Sequence, residues 1–321
     1  MSLIGLEFDP SQFPGKQEKE FKQALRQRKF AAKWHYESEK QVSAWLKVHE
    51  TYSPARTSSE VQNLYQYAFE ALAERNPFIE QLVSLGCGGA QKDLLCLQAL
   101  AQQNRKKLSR YVAVDGGSAM VLSALLKVKK AFPALETRGI VADLIGCKTS
   151  SGLIDKKQNS FFLLLGLIPN MEPPLFIKLL RQWVGGKECL ISVNLVPDGN
   201  YRQELNKILS QYDNLLTKQW LSLLLKDLGF VLDPEEVEMT LKPCPYLSDL
   251  WRIEASYKIR KKVKIDFAAK IFSFEKGERL QLFYSYRYTV KRLATWLSSH
   301  KISIIKSYVT PSQEEGIFCL R

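Results

Sequence analysis

The sequence predicts an α/β fold in which a parallel sheet is wound with crossover helices, closed by an antiparallel hairpin, and interrupted by a smaller α+β unit. Three observations predict it. From residue 79 to 196, short apolar runs alternate with amphipathic stretches, which is the pattern of a parallel sheet with crossover helices. The rhythm changes after Asp198, where two helix-like stretches are followed by four strand-like ones. The last residues then return to a helix and two strands joined by a turn-like Pro311–Glu315.

The elements follow in order. Lys16–Lys33, Glu37–Val48 and Ser58–Arg75 carry helical spacing ahead of the first strand. Strand 79–86 precedes helix 91–103, strand 110–115, helix 118–130 and strand 138–143. Strand 160–166, helix 173–184 and strand 188–196 complete the run. Pro173-Pro174 suits a first helical turn and Gly185-Gly186 an exit. Tyr201–Leu228 reads as helix broken near Asp213–Thr217, and 236–242, 250–260, 262–272 and 279–287 read as strands. Helix Thr289–Ser299 and strands Lys301–Thr310 and Gly316–Arg321 close the chain. Three segments are therefore expected: 1–198 as N-terminal helices and core, 199–288 as an inserted α+β substrate-binding domain, and 289–321 as the closing elements of the core.

Composition narrows the function. The 321 residues hold enough apolar content for one large or two moderate cores. Cys87, Cys96, Cys147, Cys189, Cys244 and Cys319 form no CxxC pair, and no histidine has metal-ligand spacing. A reduced, cytoplasmic, metal-free protein is expected. No signal pattern opens the chain, and the longest apolar run, Phe161–Pro169, is too short to span a bilayer. The net charge is +13, and Lys258–Arg292 alone holds eleven Lys/Arg against three acids, a net +8. That segment can attract RNA, anionic lipid or an acidic substrate. Its alternation favours a solvated strand face instead.

The chemistry gathers at three strand ends. Val83-Ser84-Leu85 runs into Gly86-Cys87-Gly88-Gly89 and then a helix, a platform where backbone approaches a nucleotide and helix N–H groups point at it. Tyr111-Val112-Ala113-Val114 ends in Asp115, placed to accept hydrogen bonds from a ribose diol. Gly139-Ile140-Val141-Ala142 ends in Asp143, placed to meet an adenine amino group. Together they read as a nucleoside-cofactor site. A closing antiparallel hairpin on such a sheet is the ending of the class I methyltransferase fold, whereas a nicotinamide-binding dehydrogenase continues with parallel strands.

From about Lys33 to the C-terminus the chain resembles the S-adenosylmethionine-dependent histidine N-alpha-methyltransferase family of ergothioneine biosynthesis. The pieces are Tyr52-Ser53-Pro54-Ala55-Arg56 (family Tyr-Tyr-Pro-Thr-Arg), Leu85-Gly86-Cys87-Gly88 with Lys92, and Val112-Ala113-Val114-Asp115. Leu165-Gly166 with Asn170, Asn194-Leu195-Val196-Pro197-Asp198, Tyr212-Asp213 and Arg252-Ile253-Glu254 come next. Gly277-Glu278-Arg279 through Ser285-Tyr286-Arg287-Tyr288-Thr289 is the most distinctive. Order and spacing carry the resemblance.

It implies S-adenosyl-L-methionine as cofactor, with Tyr52, Gly86, Cys87, Gly88, Lys92, Asp115 and Asp143 as its ligands. It implies that Asn170 and Tyr212 hold an amino-acid carboxylate, that Tyr36 lies beside the reacting amine as the catalytic residue, and that Ser285 grips one side of an imidazole. Two features depart from the family. The glutamate expected two positions before Ser285 is Phe283, and an Asn-rich segment is replaced by Trp220-Leu221-Ser222-Leu223. A phenyl ring cannot accept an imidazole N–H, and a buried N–H without a partner costs ~1–3 kcal/mol. The expected acceptor is the α-amine of histidine or of a related, more apolar, small amine. The expected protein is a monomer without membrane attachment; a non-catalytic binding protein, and an RNA-directed methyltransferase or RNA-binding module, are the alternatives. Asn170 has a purely structural alternative too, as the cap of the helix at Pro173.

Overall fold

The computed structural model describes residues 5–103, 108–147, 154–155 and 157–321. The chain divides into two compact units, one of Met1–Gln12, Pro54–Asp198 and Tyr288–Arg321, the other of Phe13–Ser53 and Gly199–Arg287. Each has its own hydrophobic core.

The first unit is an eight-stranded sheet. Strands β2 (Gln81–Leu85), β3 (Arg110–Asp115), β4 (Glu136–Val141), β5 (Ser160–Leu165) and β6 (Cys189–Asn194) are parallel, and β13 (Glu315–Leu320) pairs antiparallel with β6 and with the edge strand β12 (Ile304–Val309). With β1 (Leu6–Phe8) at the opposite edge, the order is β1-β4-β3-β2-β5-β6-β13-β12. Every residue of β2 is buried, as a parallel strand covered on both faces must be. After the short helix α3 (Pro54–Thr57), the cover includes α4 (Ser59–Arg75), α5 (Gln91–Gln103) and α6 (Ser118–Ala131), whose apolar residues join those of the strands in one core. This is the class I methyltransferase fold. Because β2 runs to β3 on one side and to β5 on the other, the carboxyl ends of β2 and β5 form the switch point where such sheets bind ligands.

The sequence reading had no counterpart for β1 (Leu6–Phe8), which pairs parallel with β4 and extends the sheet. Three residues are too few to show a period. Helix 173–184 consists of α7 (Pro173–Leu179) and a π turn, Leu180–Val184, ending at Gly185 in the left-handed region.

In the second unit the expected helix Lys16–Lys33 is shorter. It is α1 (Pro14–Gln27), stopped by Arg28 at φ 60°, followed by a 3-10 turn at Ala32–His35. Helix α2 (Glu39–Tyr52) starts on a capping box between Ser38 and Gln41. The break near Asp213 separates α8 (Tyr201–Tyr212) from α9 (Leu215–Asp227). Strands β7 (Val237–Pro243), β8 (Trp251–Lys258) and β11 (Arg279–Arg287) form an antiparallel sheet in the order β11-β8-β7. The expected single strand 262–272 is a hairpin instead, β9 (Val263–Phe267) and β10 (Lys270–Phe274), turning at Ala268 and Ala269 with φ 49° and 58°. Its turn lacks the Asn or Gly that ordinarily marks such a reversal. Helix α10 (Val290–Ser299), in the first unit, leads to the closing hairpin.

Candidate active site

The first unit carries the nucleoside-binding features. After β2 the chain turns through Gly86 (φ 70°) and Gly88 (φ 49°), and the N–H groups of Gly86 and Cys87 donate to the Val114 carbonyl at 2.8 and 3.2 Å. A Cβ on Gly86 would collide with the Leu167 side chain in addition to straining its left-handed backbone. Cys87 is buried, and burial pushes its thiol well above the ordinary range, so it serves as a turn residue and not as a nucleophile. Asp115 ends β3. Its Oδ2 accepts from Gly88 N–H at 3.2 Å and its Oδ1 from Gly117 N–H at 3.1 Å, which locks the carboxylate to the glycine turn. Burial raises its pKa, and these backbone donors pull the other way.

Asp143 follows β4, beside β3. Its Oδ1 accepts from the N–H groups of Ile145 and Gly146 at 2.9 and 3.1 Å, and its own N–H donates to Ser11 Oγ at 2.9 Å. The carboxylate therefore shapes a turn at the sheet end. Lys92, in the first turn of α5, donates to the Tyr65 phenol at 2.6 Å. Asn170 closes a 3-10 turn (Ile168–Asn170) just beyond β5, at the switch point. It does not cap the next helix: the N-cap of α7 is Glu172, which makes no side-chain cap bond.

The second unit holds the remaining residues. A bulge between Gln281 and Phe283 interrupts the β11–β8 register and sets Phe283, Ser285 and Arg287 in alternating phase on β11. Ser285 Oγ and Tyr212 Oη lie 3.0 Å apart, and Arg287 donates to the same phenol at 3.1 Å. The other end of this line is aromatic. Phe283, 8 % exposed, packs edge-on to Trp220 at 5.5 Å between centroids. Trp220 also stands 5.7 Å from Tyr36 and 5.5 Å from His35. Tyr36 is further held edge-on to Trp45 at 5.6 Å. His35 Nε2 donates to the Leu282 carbonyl at 2.7 Å, so the neutral ring keeps a bare Nδ1 that has no hydrogen-bond partner among the described residues. Burial lowers its pKa to about 4. Tyr52 ends α2 with 45 % of its surface exposed.

Within the first unit, then, Gly86, Cys87, Gly88 and Asp115 come together, with Asp143 just past the end of the adjoining strand β4. Within the second, Tyr212 meets Ser285, and Phe283 and Tyr36 meet through Trp220. Sequence reasoning had passed over Arg287, His35, Tyr65 and Glu315. The period-two spacing 283–285–287 was the signal that could have found Arg287.

A family model described as histidine-specific methyltransferase, SAM-dependent, matches residues 17–321. The chain belongs to this family. Its members' cofactor, S-adenosylmethionine, fits the first unit: a glycine turn at the switch point, a cation in the helix directly after that turn and an acid at the end of the next strand. The protein is thus a SAM-dependent methyltransferase. Among solved structures it is similar to a S-adenosylmethionine-dependent methyltransferase from Clostridium acetobutylicum at 14 % identity, over 87 % of this chain and 98 % of that one, with a TM-score of 0.46. It is also similar to the 1,6-didemethyltoxoflavin-N1-methyltransferase of Burkholderia thailandensis at 11 % identity, over 91 % of each chain, with a TM-score of 0.43. No curated protein matches the sequence. Among the described residues no helix is long and apolar enough to cross a membrane, and no three or more His, Cys, Asp or Glu side chains are grouped as metal ligands would be.

Proposed function

We propose that the protein methylates the α-amine of a free amino acid whose side chain is more apolar than histidine. The edge-on packing of Phe283 against Trp220 carries this reading. The two departures from the family's polar segments touch each other, so an aromatic contact worth ~0.5–1.5 kcal/mol replaces a hydrogen-bonding wall. The rest of Trp220-Leu221-Ser222-Leu223 lies in α9, with Leu221 and Ser222 buried.

The roles follow from the residues. Gly86, Cys87 and Gly88 offer a close backbone approach, Asp115 takes the ribose diol, Asp143 is beside the adenine, and Lys92 and Tyr52 take the amino-acid end of the cofactor. S-adenosylmethionine supplies an electrophilic methyl group. Asn170 and Tyr212 orient the acceptor carboxylate, with Arg287 polarising the Tyr212 phenol, and Ser285 and Phe283 line the side-chain pocket. Residues 199–288 serve as the substrate-binding segment. Tyr36 orients the amine, whose lone pair must lie about 3 Å from the methyl carbon and opposite sulfur. An ammonium has no lone pair, so the acceptor reacts as free base. A monomer in the cytoplasm is the expected working form, and its six cysteines are all free.

Titration of S-adenosylhomocysteine by calorimetry, followed by mass-spectrometric screening of the twenty amino acids and common biogenic amines with S-adenosylmethionine, tests it. Methylation of an aromatic or aliphatic amino acid ahead of histidine is expected. Histidine as the best acceptor would sink the apolar assignment, and a cofactor complex that turns over no amine would favour a binding protein.

A further inference from the structure

Lys92 belongs to a buried chain of three side chains whose other members no motif announced. An ammonium only donates, so the 2.6 Å contact makes Tyr65 Oη the acceptor, and the phenol O–H in turn donates to Glu315 Oε1 at 2.6 Å. Ser192 supplies a further hydrogen bond to the phenol. Tyr65 stands on α4, Lys92 on α5 and Glu315 at the start of β13, so three elements of the first unit converge on one proton chain. Glu315 and Tyr65 are buried, whereas the Lys92 side chain keeps 21 % of its surface.

The donor count points to a ligand. Among the described residues Tyr65 is the one hydrogen-bond partner of the Lys92 ammonium, and Glu315 stands 3.9 Å from it. Two of its three N–H donors are left over. Burial lowers the Lys92 pKa, while Glu315 and Asp93 hold the charge in place. A cation with two spare donors, one turn beyond the glycine loop, matches a carboxylate.

We propose that Tyr65 and Glu315 are positioning residues that aim the Lys92 ammonium at the carboxylate of the cofactor's amino-acid end. This rests on the reading of Lys92 as a cofactor ligand. The Tyr65–Glu315 pair fixes one N–H of the ammonium, and the two others are then directed by tetrahedral geometry. The cofactor's carboxylate is thereby recognised separately from its nucleoside.

The test compares S-adenosylhomocysteine with 5′-methylthioadenosine, which keeps the nucleoside and sulfur but lacks the amino acid. Calorimetric affinities are measured for the unmodified protein, Tyr65→Phe, Glu315→Gln, Lys92→Met and the Tyr65→Phe/Lys92→Met pair, with melting curves as a folding control. Tyr65→Phe is expected to weaken S-adenosylhomocysteine about tenfold, the scale of one hydrogen bond to a charged group, and to leave 5′-methylthioadenosine within about twofold. Glu315→Gln should act in the same direction, and Tyr65→Phe should add nothing once Lys92 is Met. Equal weakening of both ligands, or no change in either, would overturn the positioning role. If Lys92→Met alone leaves both affinities unchanged, the ligand reading of Lys92 fails first. Should Tyr65→Phe not fold, Glu315→Gln decides.

Discussion

His35 and Asp93 are both fully buried, and they titrate in opposite senses. His35 is lowered from 6.5 to about 4, chiefly by desolvation. The unfolded chain therefore binds the extra proton between those values, and stability is lost as pH falls through 6.5 towards 4. Asp93 is raised from 3.8 to about 6, again chiefly by desolvation, and it accepts from Tyr111 Oη at 2.5 Å. Here the folded state holds the proton, and stability is lost as pH rises from about 4 to 6. Each shift is worth about 3 kcal/mol when fully developed, so the two nearly cancel over that window. Substitution separates them. Asp93→Asn should gain on the parent protein as pH rises from 4 to 6.5, and His35→Asn should gain as pH falls over the same range, in urea midpoints measured at each pH. Parallel pH profiles for parent and variants would refute the assignment. Phe283 gives a second prediction at this scale. Phe283→Glu sets a carboxyl against Trp220, so it should cost about 1–3 kcal/mol of stability while shifting acceptor preference towards histidine, read from competition between labelled amino acids.

The turn at Ala268-Ala269 shows an element formed against its local chemistry. Both residues are left-handed, the conformation of a two-residue reversal, and an L side chain there costs about 1–2 kcal/mol. Lys22 donates to the Ala268 carbonyl at 3.0 Å, and Phe272 and Phe274 on β10 are buried in the core of the second unit. Tertiary burial thus outweighs the turn. Ala268→Asn with Ala269→Gly should raise stability by about 1 kcal/mol in thermal or urea unfolding, and a loss would mean that the backbone is not left-handed there. The same turn explains what the sequence could and could not reveal. The parallel strands were legible because each carries a run of buried apolar residues, and the site's first half was legible because Gly86 and Asp115 stand at strand ends. The hairpin was hidden because Ala-Ala carries no turn signal. The bulge at Leu282, which frees a carbonyl for His35, was hidden because one extra residue leaves no mark on a run of apolar side chains. The Tyr65–Lys92–Glu315 chain joins residues 250 positions apart and has no spacing to detect.

Over the whole molecule the net charge of +13 asks for an account, since polyanion binding and small-molecule chemistry make different demands of it. Part of the charge of the basic segment 258–292 is paired within the second unit. Arg260 pairs with Glu236 at 3.1 Å, Lys262 with Glu275 at 2.6 Å and Arg279 with Glu238 at 2.6 Å, while the apolar residues of the alternating strand, Ile259 and Ile265, are buried. Surface pairs of this kind contribute about 0–1 kcal/mol each to stability, and they offset part of the local charge that a nucleic acid would need. The proposed acceptor, a free amino acid, needs no phosphate-tracking groove, whereas the cofactor needs a preorganised nucleoside site. Ligand-induced stabilisation distinguishes the two demands. S-adenosylhomocysteine at a hundredfold excess over its dissociation constant should stabilise the folded protein by about 2.7 kcal/mol, seen as a raised melting midpoint that changes little between low and moderate salt. Mixed-sequence RNA at the same concentration should leave that midpoint unmoved even at low salt. An RNA-induced rise that collapses as salt is added would instead assign the excess charge to phosphate binding, because counterion release makes such binding fall steeply with ionic strength.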